Sequence, residues 1–310
     1  MTVRSRRIRR RTLVAGVVAV AILVGVSAVA VDAFEVREKL TNLERKIELL
    51  VDPPPDRAIA AAVRVTPEPD DVGDVEEVTP EPTVASSLDM GETPPPDPTA
   101  TPRPQKVKVD VNLLKKPDKW FITQLDKESC AVAGTQMVIA LHGKGSLNES
   151  FQKQIESRID DWESRRDSLN GGWGPAAMVN ALEAYGVRGY EVRAYDTRGL
   201  ALRDAAKAIS KYHAPVILLA WRGAHTWVMT GYRADADPLV FKGAKVSGAY
   251  ILDPWYPRVS SIWGASDPPG GYQNAAEMRR NYLPWKRPEG HYADRDGLFI
   301  AVVPTQRLDR

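Results

Sequence analysis

Four side chains suited to thiol-based catalysis occur between residues 124 and 253. Cys130 is the only cysteine among 310 residues and follows Gln124 by six positions, whereas His225 opens an apolar run and Asp253 closes another. A thiolate attacks carbonyl carbon, an imidazole moves the protons, and a carboxylate orients the imidazole. The pattern predicts Cys130 as nucleophile, His225 as general base and acid, and Asp253 as the orienting group. The Cys130 backbone N–H and the Gln124 amide are candidate oxyanion donors.

A helix that begins at Cys130 would supply part of the activation of its thiol, and the imidazole would supply the rest. Ser129 is a predicted N-cap, and the apolar run from Cys130 continues to about His142, where Gly143 follows. The unpaired N–H groups and the positive dipole end of a helix N-terminus favour a thiolate. The sequence therefore predicts that the nucleophile lies at the first residue of a helix.

Strands are predicted to carry the histidine and the aspartate. In a strand at 225–232, Trp227 shares a face with His225, so Trp227 is predicted to line the same cleft. A strand ending at Asp253 would place this carboxylate at a sheet edge. Trp173 and Gly174, in a glycine-rich loop, are predicted to line a substrate groove, with helix capping as the equal alternative.

The remaining patterns indicate one domain of the α+β class over residues 106–310. Apolar stripes predict helices at 151–162, 175–186 and 202–213, and strands are predicted near 190–194, 216–221 and 298–303. Because helices come first and most strands are joined by loops, we expect N-terminal helices packed on a mostly antiparallel sheet. A domain of 205 residues is large enough for one substantial core.

The N-terminus predicts a membrane anchor over residues 1–34. Six arginines precede the uncharged, 19-residue segment Leu13–Val31. A helix of this length roughly covers a ~30 Å hydrocarbon core, and the arginines should remain cytoplasmic. We therefore expect a single-pass protein of the cell membrane with an extracytoplasmic C-terminal domain. The alternative is a signal peptide cleaved after Ala28-Val29-Ala30, which would give a secreted protein.

Two different segments connect this anchor to the domain. Residues 35–51 repeat apolar side chains at spacings of four and three, which predicts an amphipathic juxtamembrane helix; a weak homodimer through residues 36–50 is the alternative to a simple stalk. Residues 52–105 hold 13 of the 24 prolines and a net charge of −9. This composition predicts a disordered linker spanning on the order of 40 Å.

The motifs resemble those of cysteine peptidase family 39, which contains the double-glycine leader peptidases and their stand-alone relatives. The stretch 120–142 resembles the active-site start of that family, 225–232 its histidine segment, and 251–254 its aspartate segment. The stretch 175–186 resembles a helix found between them. The resemblance covers roughly residues 118–303.

This resemblance implies a papain-like fold and a peptidase that hydrolyses peptide bonds in peptide or protein substrates. By position, it implies Gln124 as oxyanion donor, Cys130 as nucleophile, His225 as base and acid, and Asp253 as orienter. One departure is that many relatives have Gly-Pro after the cysteine, whereas this chain has Ala131-Val132.

Several classes of protein are excluded or left as alternatives. One cysteine excludes an internal disulfide framework, and four scattered histidines predict no metal site. We expect no cofactor and no nucleic-acid partner. The alternatives to a peptidase are an inactive relative that binds peptides or cell-wall glycans, and a transglutaminase-like acyltransferase, because Cys-His-Asp sites also transfer acyl groups to amines.

Overall fold

The computed structural model describes residue 51 and the ranges 55–67, 104–168, 173–286 and 289–307. Its helices are α1 (Cys130–Leu141), α2 (Glu149–Glu156), α3 (Ile159–Trp162), α4 (Pro175–Ala184), α5 (Arg198–Tyr212) and α6 (Ala275–Asn281). Its strands are β1 (Val63–Val65), β2 (Val109–Asn112), β3 (Tyr190–Tyr195), β4 (Val216–Ala220), β5 (His225–Ala234), β6 (Val246–Leu252), β7 (Val259–Ser260), β8 (Gly264–Ala265), β9 (Gly271–Asn274) and β10 (Phe299–Pro304).

Eight of these strands form one sheet in the order β1-β3-β10-β4-β5-β6-β9, with β2 paired to β5. Every pairing in it is antiparallel except that of β1 with β3. The hairpin β7–β8 is a separate two-stranded sheet. The predicted α+β class with a mostly antiparallel sheet is confirmed.

Helices cover both faces of this sheet. On one face, α1 and α4 pack with Ile217, Leu219 and Val228, which we call the α1-side core. On the other face, α5 packs with Leu218, Trp227 and the other strand residues whose side chains point to that side of the sheet. We call this cluster the α5-side core. Because β4 is buried on both faces, all of its side chains are apolar.

The predicted elements of the domain occur with small changes. The Cys130 helix begins at the predicted residue, but Ser129 makes no side-chain capping bond and its hydroxyl accepts the Asp126 N–H instead. The single helix expected at 151–162 is two helices, α2 and α3. Asn148 caps the first of them by accepting the Phe151 N–H at 2.8 Å.

The linker prediction is wrong for residues 55–67. These residues lie against the domain: β1 pairs with β3, Arg165 N–H donates to the Pro55 carbonyl, and the Ser164 hydroxyl bonds the backbone of Arg57. The prediction of disorder rested on proline content and charge alone. It did not consider that the unpaired backbone N–H and C=O groups of an edge strand can bind a short segment.

The other N-terminal predictions lie outside the described residues. These are the anchor at 1–34, the juxtamembrane helix and homodimer segment apart from residue 51, and the linker at 52–54 and 68–103. Among the helices that the structure does describe, none has the length and apolar character needed to cross a bilayer.

Candidate active site

The structure brings His225 and Asp253 into direct contact. His225 is the first residue of β5, and Asp253 follows the last residue of the neighbouring strand β6. The imidazole Nε2 lies 2.7 Å from Asp253 Oδ1, and the two side chains are 2% and 6% exposed. Asp253 Oδ1 also accepts the Trp255 N–H at 2.9 Å, which holds the carboxylate in place.

Cys130 lies on the other side of the imidazole. It is the first residue of α1, is a free thiol and is partly exposed. The thiol lies close enough to His225 and to Thr226, the second residue of β5, for both residues to lower its pKa. Because Nε2 is bonded to Asp253, Nδ1 is the ring nitrogen that is free to exchange a proton with the thiol. Three side chains from α1, β5 and the end of β6 therefore meet.

The pKa values of this pair are shifted toward a charged thiolate and imidazolium. Burial by itself would lower the pKa of His225, but the Asp253 carboxylate and the Cys130 thiol raise it from 6.5 to about 9. Burial by itself would raise the pKa of Cys130, but the His225 hydrogen bond and charge lower it below its ordinary value. The pair can thus hold both a nucleophile and a proton donor near neutral pH.

The loop before Cys130 is tied to the turn that carries Asp253. Gln124 N–H donates to the Pro254 carbonyl at 2.9 Å, and the Arg258 guanidinium donates to the carbonyls of Leu125 and Asp126, both at 3.2 Å. Asp126 Oδ1 in turn accepts the Ser129 N–H at 2.8 Å. These bonds set the position of α1 relative to the end of β6.

Gln124 lies beside the site but is turned into its own loop. Its side chain is fully buried, and Nε2 donates to the Asp126 carbonyl at 2.7 Å. Within the described part of the chain, Gln124 Oε1 has no hydrogen-bond partner. In this conformation the amide presents no accessible surface to an oxyanion.

Aromatic rings that sequence reasoning did not assign to the site enclose His225. Trp221 stacks on the imidazole with a centroid distance of 4.1 Å and an interplanar angle of 19°, and Trp255 meets it edge-on at 6.4 Å. Trp263, from the β7–β8 hairpin, lies parallel to Trp221 at 5.8 Å and 4°. The sequence signal for the stacked ring is a tryptophan four residues before the histidine, at the end of the apolar run 216–221.

Trp221 reaches the imidazole from an unusual backbone conformation. Trp221 and Arg222 have φ values of 52° and 62°, and Gly223 follows at 85°. The left-handed region costs a non-glycine residue about 1–2 kcal/mol. The connection between β4 and β5 therefore contains two strained residues in succession, next to the candidate catalytic histidine.

The predicted substrate-binding residues are placed in the core. Trp227 is 1% exposed and belongs to the α5-side core, so it presents almost no surface to a substrate in this structure, and its place beside the cleft stays a prediction. Trp173 is buried against Trp162, with ring centroids 5.3 Å apart. Gly174 precedes α4 in close contact with the buried Asp167, where a Cβ atom would clash with the carboxylate. The helix-capping alternative is the one that this geometry supports.

The arrangement is suited to nucleophilic attack on a carbonyl followed by proton transfer to the leaving group. Among the described residues, no cluster of three or more His, Cys, Asp or Glu side chains has the geometry of a metal site.

No family model matches this chain. A search of the curated proteins likewise finds no match.

Proposed function

We propose that this chain is a membrane-tethered, extracytoplasmic cysteine peptidase of papain-like fold that hydrolyses peptide bonds. The observation that carries the proposal is that three groups meet at one site, where the His225 imidazole interacts with both the Cys130 thiol and the Asp253 carboxylate. The lowered pKa of Cys130 and the raised pKa of His225 support the same reaction.

In the proposed reaction the Cys130 thiolate attacks the peptide carbonyl and forms a tetrahedral oxyanion. The His225 imidazolium then protonates the departing amine, which leaves a thioester on Cys130. His225, now neutral, accepts a proton from water, and the resulting hydroxide attacks the thioester. This step releases the acid and restores the ion pair, while Asp253 keeps the imidazole oriented throughout.

The oxyanion would be stabilised by N–H donors close to the sulfur. The Cys130 backbone N–H at the start of α1 is one donor, and the Gln124 amide is the other once its bond to the Asp126 carbonyl opens. Losing a donor of this kind costs about 2.7–4 kcal/mol of transition-state stabilisation.

The decisive experiment is active-site labelling of the full-length protein. Because Cys130 is the only cysteine, intact-mass analysis after a thiol-directed peptide probe reports on this residue alone. We expect stoichiometric labelling, cleavage of members of a peptide library, and loss of both in Cys130→Ala without a change in the folded structure. A protein that is neither labelled nor cuts any peptide would contradict the proposal.

A second candidate is a non-catalytic relative that holds peptides or wall glycans in the same site. The internal bond of the Gln124 amide favours it, as does Ala131-Val132 after the cysteine. Ligand binding that survives Cys130→Ala, without product formed by the wild type, would select this candidate.

A further inference from the structure

We propose that Trp221 is a positioning residue for His225, whose indole fixes the plane in which the imidazole meets Cys130 and Asp253. The inference rests on the proposed function, because it assigns Trp221 a part in the same reaction. Trp221 acts through the histidine and does not itself touch the reacting atoms.

The geometry of the imidazole explains why its plane must be held. Its Nε2 bonds Asp253 at 2.7 Å and the ring also interacts with the Cys130 thiol, so a turn about its Cβ–Cγ bond breaks the first contact and disturbs the second. That torsion is broad in a histidine and is weakly restricted by its own rotamer. A flat indole stacked at 4.1 Å and 19° blocks the turn sterically.

Contacts from three sides hold the indole in that position. Ala224 N–H donates to the Trp221 carbonyl and Lys286 N–H donates to the Arg222 carbonyl, both at 3.1 Å. Gly223 packs so closely on Trp285 that a Cβ atom would clash with the ring. These contacts maintain the left-handed turn, which otherwise disfavours two bulky residues. The parallel Trp263 ring supports the indole from the hairpin.

Stacking also favours the charged form of the imidazole. The face of an indole attracts a positively charged imidazolium more strongly than it attracts a neutral imidazole. The ionisable groups that face His225 are Cys130 from α1 and Asp253 after β6. Removing the indole therefore destabilises the imidazolium and, with it, the thiolate that depends on its charge.

The test is the pH dependence of Cys130 alkylation by iodoacetamide in the full-length protein. In Trp221→Leu the pH midpoint at which the alkylation rate rises should increase by about one unit. Below that midpoint, alkylation should be roughly tenfold slower than in the wild type. Trp221→Phe should restore most of the wild-type midpoint because it keeps an aromatic face. Trp162→Leu removes an equally buried indole that packs on Trp173, and it should leave the midpoint in place.

The outcomes separate this inference from the proposed function. A wild-type thiol that titrates as an ordinary cysteine would overturn the proposed function and the inference together. If the wild-type midpoint is lowered, two results would overturn the inference alone. One is a folded Trp221→Leu that keeps the wild-type midpoint, and the other is a Trp221→Phe that does not restore it.

A measurement on the wild-type protein covers the case in which Trp221→Leu does not fold. The ring protons of His225, identified by comparison with His225→Gln, should show upfield NMR shifts from the stacked indole. Signals without that shift would overturn the inference.

Discussion

The proposed reaction requires two neighbouring side chains, Cys130 and His225, to be in opposite protonation states. Catalysis needs Cys130 deprotonated and His225 protonated, and the lowered pKa of the thiol and the raised pKa of the imidazole overlap to give that state. Because the two groups interact strongly, they titrate together as a pair.

We expect a bell-shaped pH profile of kcat/KM with its alkaline limb at about 9. Activity should rise as pH passes the lowered pKa of Cys130, since the thiolate forms, and fall as His225 loses the proton that it gives to the leaving amine. Initial rates on a cleaved library peptide would measure both limbs. An activity that keeps rising beyond the alkaline limb would show that His225 is not the acid.

Asp253→Asn should move the alkaline limb to lower pH. The Asp253 charge is the largest favourable contribution to the raised pKa of His225, so its removal lets that pKa fall from about 9 toward 6.5. We expect a shift of one unit or more, which corresponds to about tenfold in the proton affinity.

The control for Asp253→Asn is Asp235→Asn. Asp235 Oδ1 accepts the Lys245 N–H in a strand connection, so this change should leave the limb in place. An unchanged limb in Asp253→Asn would contradict the assigned role of Asp253.

At the scale of secondary structure, the contact between α1 and β5 sets the distance from the thiol to the imidazole. Gly134 lies in α1 against Thr226, where a Cβ atom would be 2.5 Å from Thr226 Cγ2. The helix approaches the strand closely because this position has no side chain. Thr226 is also close enough to Cys130 to lower the pKa of the thiol.

Gly134→Ala should destabilise the domain and separate the reacting groups. Overpacking of this kind costs about 1–3 kcal/mol, to be measured by urea unfolding, and alkylation of Cys130 near neutral pH should slow as the ion pair weakens. Both effects arise from a displacement of α1 from β5.

The matched control is Gly243→Ala, because no atom lies within 4 Å of the added Cβ. Its stability should stay within about 0.5 kcal/mol of the wild type. If Gly134→Ala behaved like this control, the close approach of α1 to β5 would not be required for the site.

For the molecule as a whole, the attachment of residues 55–67 limits how far the domain lies from Val51. Asp56 pairs with Arg165 and Arg166, Ala62 N–H donates to Asp294, and β1 adds to the sheet edge. Only residues 52–54 separate Val51 from this attached segment, a span of at most ~14 Å. Residues 68–103 therefore do not set this distance.

A disulfide test checks this attachment. In a Cys130→Ala background, Val63→Cys and Arg193→Cys occupy register partners of the β1–β3 pair, whose spacing suits a disulfide. We expect oxidation to proceed at least about tenfold faster than for Val259→Cys with Arg193→Cys, because Val259 belongs to the separate β7–β8 sheet and has a lower effective concentration at Arg193. Gel mobility and intact mass would follow the reaction. Equal rates for the two pairs would show that β1 does not stay attached.

Much of the fold was predictable because its signals are local. The apolar run after Cys130, the proline at the start of α4 and the uninterrupted apolar strand β4 each predicted their element. The weaker elements were missed: β1, β2, β9 and α6 have short or mixed patterns and form through pairing with distant strands or through capping, as in the Asn274 capping box of α6.

The sequence alone determined the order of Gln124, Cys130, His225 and Asp253 and the elements that carry the last three, because helix and strand periods are local properties of the chain. Only the tertiary structure decided that Trp227 is covered by the α5-side core, that Trp221 turns onto His225, and that residues 55–67 join the sheet. Periodicity tells which side chains share a face of a strand. Contacts between residues far apart in the chain decide which layer covers that face. They also decide whether a strained turn beside it is tolerated.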